Sequence, residues 1–477
     1  MRVNQTQRAG VHFRVLRDDQ CEQIALAAIE VLGRVGARFY EPQAVEILRK
    51  AGCEVTDGYI VRFPSALIRQ ALGTVPGRFT LYTRAGKPAI MVEPNRTYFG
   101  PGPTCCYFVD PQTRVRRLFV KHDAALVARV CDALPNIDYV MSLGSVSDVP
   151  QDAADVHEFD AMVRETDKPI MTWAFSRKSL VLLHRMCAEV KGSEEAYARE
   201  PFMIHYGEPS SPLKHSADAV QKLVFCAERG IPLVYAPCPI AGGTAPTTLA
   251  GVLVQDLAET LGGVVLSQLI RPGTPIVVGG VVSILDMRTT ILSYGAPELS
   301  LLSAAAAEVA ASLGLPMFST AGCTDSKCLD EQAAAEAMMS ITFAALSGAN
   351  FVHDVGYIES AMTGSLEQLV MCDELIGMAR HVARGIRVDD ETLAVGVIAD
   401  AVEAGDFLTH EHTARHFREE FYFPRLMDRR RFGEWAASGR ETMGDRVRAM
   451  LALILKKHRA PALPAGVRKK LDEIVRA

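Results

Sequence analysis

The chain has 477 residues, 49% hydrophobic and 22% charged, an ordinary balance for a soluble globular protein. A net charge of -5 offers no basic field for nucleic acid or an anionic membrane, and the short DRRR run, Asp428–Arg431, has acids beside it. The start, MRVNQTQRAG, lacks the apolar core of a secretory signal, and no run reaches about 18 uninterrupted apolar residues; the 11 cysteines form no CxxC pair, so free thiols in a cytoplasmic protein are expected.

Residues 1–95 read as an α+β region. CEQIALAAIEVLGRVGA (Cys21–Ala37) has helical spacing with Asp18 or Asp19 available as a cap, PQAVEILRKAG gives a second helix, VTDGYIVRFP a hairpin, SALIRQAL a short helix and RFTLYTR a strand. This region is either a small separate domain or a cap on the central part of the chain.

From residue 96 to 371 short apolar runs alternate with helical patterns. The expected strands are Thr97–Gly102, Ile137–Val146, Pro169–Phe175, Pro201–Glu208, Pro232–Cys238, Pro275–Val282, Pro316–Gly322 and Phe351–Glu359. A strand and a crossover helix, repeated, imply a parallel sheet, and eight repeats favour a (β/α)8 TIM barrel over an open doubly wound sheet. No dinucleotide-type Gly-rich loop follows any strand, which weakens the open-sheet alternative. Residues 372–477 read as a helical extension, packed on the barrel or on a partner subunit.

In a parallel barrel the active site lies at the C-terminal ends of the strands. Three groups of residues fall there. HYGEPSSPL, His205–Leu213, ends a strand in Glu208, a candidate base or cation ligand, though a capping or salt-bridging carboxylate is an equal reading. STAGCTDSKCLDEQAAAE, Ser319–Glu336, supplies Asp325 and Lys327, with Asp330 placed either in the site or as the cap of the helix that begins at Glu331. Aromatic residues Trp173, Phe175, Tyr206, Tyr235, Phe318 and Tyr357 stand near strand ends, where they serve either as core or as faces for a cation.

A zinc site gathering His205, Cys238 and Cys323 is conceivable from the strand ends, but no spacing demands it. HEHTARH, His410–His416, has helical histidine spacing without the HExxH arrangement and reads as ordinary or exposed histidines, so no metal is expected. The sequence also lacks a GxSxG elbow and a P-loop.

At these same residues the chain resembles the trimethylamine methyltransferase family of corrinoid-dependent enzymes. The resemblance rests on FGPGPTCCYFVD, AADVHEFDAMVRETDKPI, HYGEPSSPL, APCPIAGGTAPTTLAG, STAGCTDSKCLDEQAAAE and LSGANFVHDVGYIES, and covers about residues 15–425. It implies an eight-stranded α/β barrel that moves a methyl group from a methylated amine to the Co(I) corrinoid of a separate partner protein, with no tightly bound cofactor of its own. The archaeal trimethylamine enzymes carry pyrrolysine; this chain has only standard residues, which implies the branch acting on quaternary amines such as glycine betaine.

On that reading Glu208 and Asp325 are the catalytic candidates. Trp173, Phe175, Tyr206, Tyr235, Lys327, Tyr357 and Glu359 are the substrate-binding candidates, Lys327 for a substrate carboxylate and Glu208 or Glu359 for charge balance. A homo-oligomer is expected from the helical ends. The alternatives are trimethylamine itself as donor, a noncatalytic barrel that binds ligand or corrinoid protein, and a zinc-dependent methyltransferase.

Overall fold

The computed structural model describes residues 11–476. Seven of the eight expected segments contain a regular strand. One parallel sheet runs Ile276–Val277, Leu233–Tyr235, Met203–Gly207, Ile170–Thr172, and a second runs Phe318–Thr320, Phe351–His353, Tyr98–Phe99. Val278 forms a parallel bridge to Met317 on one side, and Val140 forms one to Ile170 on the other. The Asp138 N–H donates to the Phe99 carbonyl at 2.7 Å, so residues 138–140 link the two sheets. This is an α/β architecture of the TIM-barrel kind.

The expected strand Ile137–Val146 is the exception: it holds only isolated bridges, Val140 to Ile170 and Gly144 to Cys105. Leu143 takes a left-handed φ of 70°, which breaks the pleat a strand requires. In the other seven segments the strands are shorter than expected.

Strand alternation sorts the side chains. Tyr139, Met141, Met171, Ile204, Tyr206, Val234, Ala236, Val277, Phe318 and Phe351 pack together between the two sheets. Leu81, Ile90 and Val92 join them from the hairpin Phe79–Tyr82/Pro88–Val92, whose Tyr82 N–H donates to Pro201 O at 2.9 Å, just before the strand at Met203. The hairpin therefore plugs the N-terminal end and leaves the C-terminal end as the mouth.

The N-terminal region is joined directly to this body. Ala37–Phe39 pairs in parallel with Lys214–His215, and the helix Asp18–Arg34 packs on the helix Leu249–Ile270. Leu249–Ile270 is, among the described residues, the helix long and apolar enough to cross a membrane. Its apolarity is explained by burial, since neighbouring helices cover it on several sides. Asp330 caps the helix Glu331–Ser347, accepting from Ala333 N–H at 2.9 Å.

At the other boundary the helix Leu366–Ala383 runs straight through position 372, with most side chains from Leu366 to Ile376 buried, so the expected break falls inside a core helix. Farther on, Met443–Lys457 returns to pack on Leu366–Ala383 and Ala465–Val475 on Arg177–Lys191. All 11 cysteines are free, and most are buried.

Candidate active site

At the mouth, a cavity of about 280 Å³ is lined by Trp173, Phe175, Tyr206, Glu208 and Lys222, among others. The first four are residues expected from the sequence, and they come from two adjacent strands, Ile170–Thr172 and Met203–Gly207. Trp173 and Phe175 meet edge to face with centroids 5.1 Å apart. Tyr206 lies against Phe318 and His353, with centroids at 5.4 and 5.9 Å.

Two buried acids of the helix Ala154–Glu165 fix the Trp173 corner. Asp155 Oδ2 accepts from Phe175 N–H at 2.7 Å. Glu158 Oε2 accepts from the indole N–H of Trp173 at 2.9 Å, while its Oε1 takes Val146 N–H at 3.1 Å. Burial pushes the Glu158 carboxyl up to about 8, against the pull of those donors. The pair sits three residues apart on an otherwise apolar helix face, a spacing legible in ADVHEF as two acids pointing the same way.

Glu208 is exposed at the cavity, yet the protein packed around its carboxyl displaces enough water to lift it to about 7, against the pull of the Lys222 ammonium. Lys222, on the helix Ala217–Arg229, donates to Ala174 O at 2.5 Å, and desolvation lowers its own pKa.

Asp354 adds a second carboxylate that sequence reading missed. The strand Phe351–His353 stops at it, and Asp354 takes a φ of 71° that turns its side chain inward. It is 1% exposed, its Oδ2 has no hydrogen-bond partner, and burial raises its pKa well above the usual range, with the Glu208 charge adding to the rise and the Tyr357 and Tyr294 hydroxyls opposing it. Gly102 is required here: a Cβ would fall 1.9 Å from Asp354 Oδ1 and 2.4 Å from the Tyr357 hydroxyl.

His353 Nε2 lies 3.2 Å from Asp354 Oδ1, yet burial lowers the imidazole to about 3. Its Nδ1 faces the Ser319 carbonyl at 3.0 Å and must carry the hydrogen there. A neutral His353 thus presents a lone pair to Asp354, and the contact is completed by a proton on the carboxyl. The pair is better described as a neutral hydrogen bond than as an ion pair.

The remaining expected residues are dispersed. Tyr235 is a correction: in the Leu233–Tyr235 strand Val234 faces inward, so Tyr235 points out to His215, sharing a hydrogen bond of 2.8 Å with Nδ1 and packing on Gly263. Asp325 has both oxygens engaged, by Ser293 Oγ, by Tyr294 N–H at 2.8 Å and by Ser360 Oγ at 2.8 Å, so it braces two loops rather than standing ready as a base. Lys327 is exposed and donates to Asp325 O at 2.8 Å. Glu359 accepts from the Thr363 hydroxyl and is paired with Arg116 at 2.7 and 3.2 Å; against partial desolvation, the Thr363 hydrogen bond and then the Arg116 pairing lower its pKa.

Tyr357 is buried near Asp354, its hydroxyl accepting from Thr104 N–H at 2.7 Å. The strands Tyr357–Ile358, Thr363–Gly364, Tyr107–Val109 and Arg116–Leu118 make a small sheet on this rim. His205 is fully buried with neither ring nitrogen partnered. Among the described residues His205, Cys238 and Cys323 do not gather closely enough to hold a metal, whereas Glu391, His412 and His416 each bring one ligand atom within 4.8 Å of the others.

The family model described as trimethylamine methyltransferase (MTTB) matches residues 1–477. A trimethylamine methyltransferase of Methanosarcina mazei is 34% identical over 98% of this chain and 95% of its own length. A glycine betaine methyltransferase of Desulfitobacterium hafniense is 31% identical over 97% of this chain and 96% of its own. Among solved structures, the monomethylamine methyltransferase of Methanosarcina barkeri superposes with a TM-score of 0.54 at 15% identity, covering 97% of this chain and 89% of that one, which is a likeness of fold.

Proposed function

The chain belongs to the trimethylamine methyltransferase family of corrinoid-dependent enzymes, and from that premise we propose that it takes a methyl group from a methylated-amine cation held among Trp173, Phe175, Tyr206 and Glu208, with Asp354 near enough to feel the Glu208 charge. The single observation that carries this is the meeting of aromatic faces and a carboxylate in one cavity at the mouth. Aromatic faces attract an alkylated ammonium by up to about 2 kcal/mol when water is excluded.

The acceptor is a Co(I) corrinoid brought by a separate protein, which supplies the nucleophile. The C–N bond breaks with its electron pair passing to nitrogen, so the nitrogen must be cationic for a neutral amine to leave. This chain has no pyrrolysine, so its own groups must hold that cation. Positioning is the larger part of the work asked of these side chains. Glu208, lifted to about 7 by desolvation, offers a negative charge above that pH. Asp354 and His353 together hold a proton next to the same space.

Two further parts of the proposal concern shape. The backbone links through Asp138, Val140 and Val278 support closure of the two sheets into one eight-membered ring. The rim sheet carrying Arg116 and Tyr107 stands where a corrinoid protein would have to dock.

Trimethylamine, as its ammonium, is the first donor to test, since it names most of the matched relatives. A betaine is the second reading, favoured by one observation: the Lys222 ammonium shares the cavity with Glu208 and is placed to meet a substrate carboxylate. Lys222→Met decides between them. With a betaine donor, kcat/KM falls at least about 10-fold relative to wild type, the worth of a lost charged hydrogen bond. With trimethylamine it is unchanged or rises, because a cation has been removed from beside the donor.

A contrast between two aromatic residues tests the cage. Trp173→Leu raises the KM for the donor by roughly 30-fold, the equivalent of about 2 kcal/mol. Tyr235→Phe leaves KM alone and instead lowers thermal stability by about 1–3 kcal/mol, since it strips a buried histidine of its partner. Equal effects on KM would remove Trp173 from the site.

A further inference from the structure

The helix Glu411–Glu420 presents His412 and His416 one turn apart, with ring centroids 4.3 Å from each other. Glu391, from the short helix Asp390–Leu393, reaches across so that its Oε1 lies 3.0 Å from His416 Nε2. One ligand atom from each of the three residues lies within 4.8 Å of the others. Two imidazoles at i and i+4 on one helix are a preformed chelate, and a carboxylate from a second segment completes a facial set of three.

The neighbouring groups are compatible with an ion. His410 is turned away: its Nδ1 accepts from His412 N–H at 3.1 Å and its Nε2 faces Asp400 at 3.7 Å. Arg415 lies 3.4 Å from Glu391 and 3.9 Å from Glu411, so it has a second carboxylate to move to when Glu391 turns to a metal.

The setting gives such an ion something to do. The helices Asp390–Leu393 and Glu411–Glu420 bury no side chain. Ile386, Val388, Val395, Val402 and Leu408 in the same stretch are all more than two-thirds exposed. This stretch lacks the apolar packing that holds the rest of the chain, and a metal is a common substitute where a core is too small.

We propose that Glu391, His412 and His416 form a binding site for a zinc-class divalent transition ion, which fastens the 390s segment to the Glu411–Glu420 helix. Three protein ligands leave a fourth tetrahedral position for water or for a side chain of a docked molecule. The soft–hard balance of two imidazoles and one carboxylate suits zinc, nickel or copper over calcium or magnesium. The site stands apart from the mouth and its function does not depend on the methyl donor.

The test uses the full-length, tag-free protein stripped with chelator and titrated with zinc chloride by calorimetry, with cobalt(II) chloride as a spectroscopic probe. The expected result is one saturable ion per chain, visible-region absorption of imidazole-bound cobalt, and protection of residues 384–425 from limited proteolysis. Single variants His412→Ala, His416→Ala and Glu391→Gln should each weaken binding by at least about 10-fold. Circular dichroism separates loss of the site from loss of the fold, because both histidines are only half-buried and their helix buries no side chain. Stoichiometric binding that persists in the His412→Ala/His416→Ala double variant, or no saturable binding in the wild type, overturns the proposal.

Discussion

Glu208→Gln should lower kcat/KM for the methyl donor by about 100- to 1,000-fold, the size expected when one preorganised charge facing a reacting cation is removed. The substitution keeps the shape, removes the charge and replaces one acceptor oxygen by a donor amide nitrogen. Glu208 is solvent-accessible, so the folded state should tolerate it. The same residue sets a pH dependence. With a quaternary donor, whose charge does not titrate, kcat/KM should fall tenfold per pH unit below about 7, the value to which desolvation raises this carboxyl. The sign for stability is opposite. A carboxyl with a folded-state pKa above its unfolded value binds its proton more tightly when folded, so its contribution to stability declines as pH rises from about 4.5 to about 7. Glu208→Gln should therefore flatten the acidic limb of the rate profile while leaving the protein no less stable at neutral pH. An unchanged limb would mean that another group controls it.

Asp354→Asn is the second large effect expected, again about 100-fold or more in kcat/KM. The asparagine amide can donate to His353 Nε2 as the protonated carboxyl does, so the hydrogen bond at 3.2 Å and the fold survive. What is lost is the ability to hold or release a proton beside the donor. If Asp354 only buttressed the Phe351–His353 strand end, the asparagine variant would match wild type in both kcat and melting temperature. His353→Asn provides the complementary readout: it removes the acceptor that keeps Asp354 protonated and should shift the pH profile rather than abolish turnover.

Much of the architecture was legible in the alternation of short apolar runs with helical patterns, because each run had to be buried on both sides. Strand ends were less legible. FVHDVGYIE reads as one apolar stretch, but Asp354 adopts a left-handed backbone and the strand ends at His353. That turn hides an inward carboxylate inside what looks like a strand.

Tyr235 shows the cost of choosing aromatics without fixing the phase of the strand. A one-residue shift sends a side chain to the opposite face, and Val234 is the residue that joins the inner cluster between the sheets. Trp173, Phe175, Tyr206 and Glu208 were legible because they stand at or just past strand ends. Lys222 was missed because it enters the mouth from the helix after its strand, where nothing in the local sequence separates it from a solvated lysine. Asp155 and Glu158 carried a readable signal, two acids on an apolar helix face, whose meaning depends on Trp173 and Phe175 being their partners.

The most direct measurement is methyl transfer to a reduced corrinoid protein, followed by the cobalt absorption change, with trimethylamine, glycine betaine and uncharged methyl donors compared side by side. A rapid Co(I)-to-methyl-Co(III) conversion with a methylated-amine cation, absent with uncharged donors and lost in Glu208→Gln, is the predicted result. No conversion with any methylated-amine cation, or conversion that is indifferent to Glu208, would contradict the account.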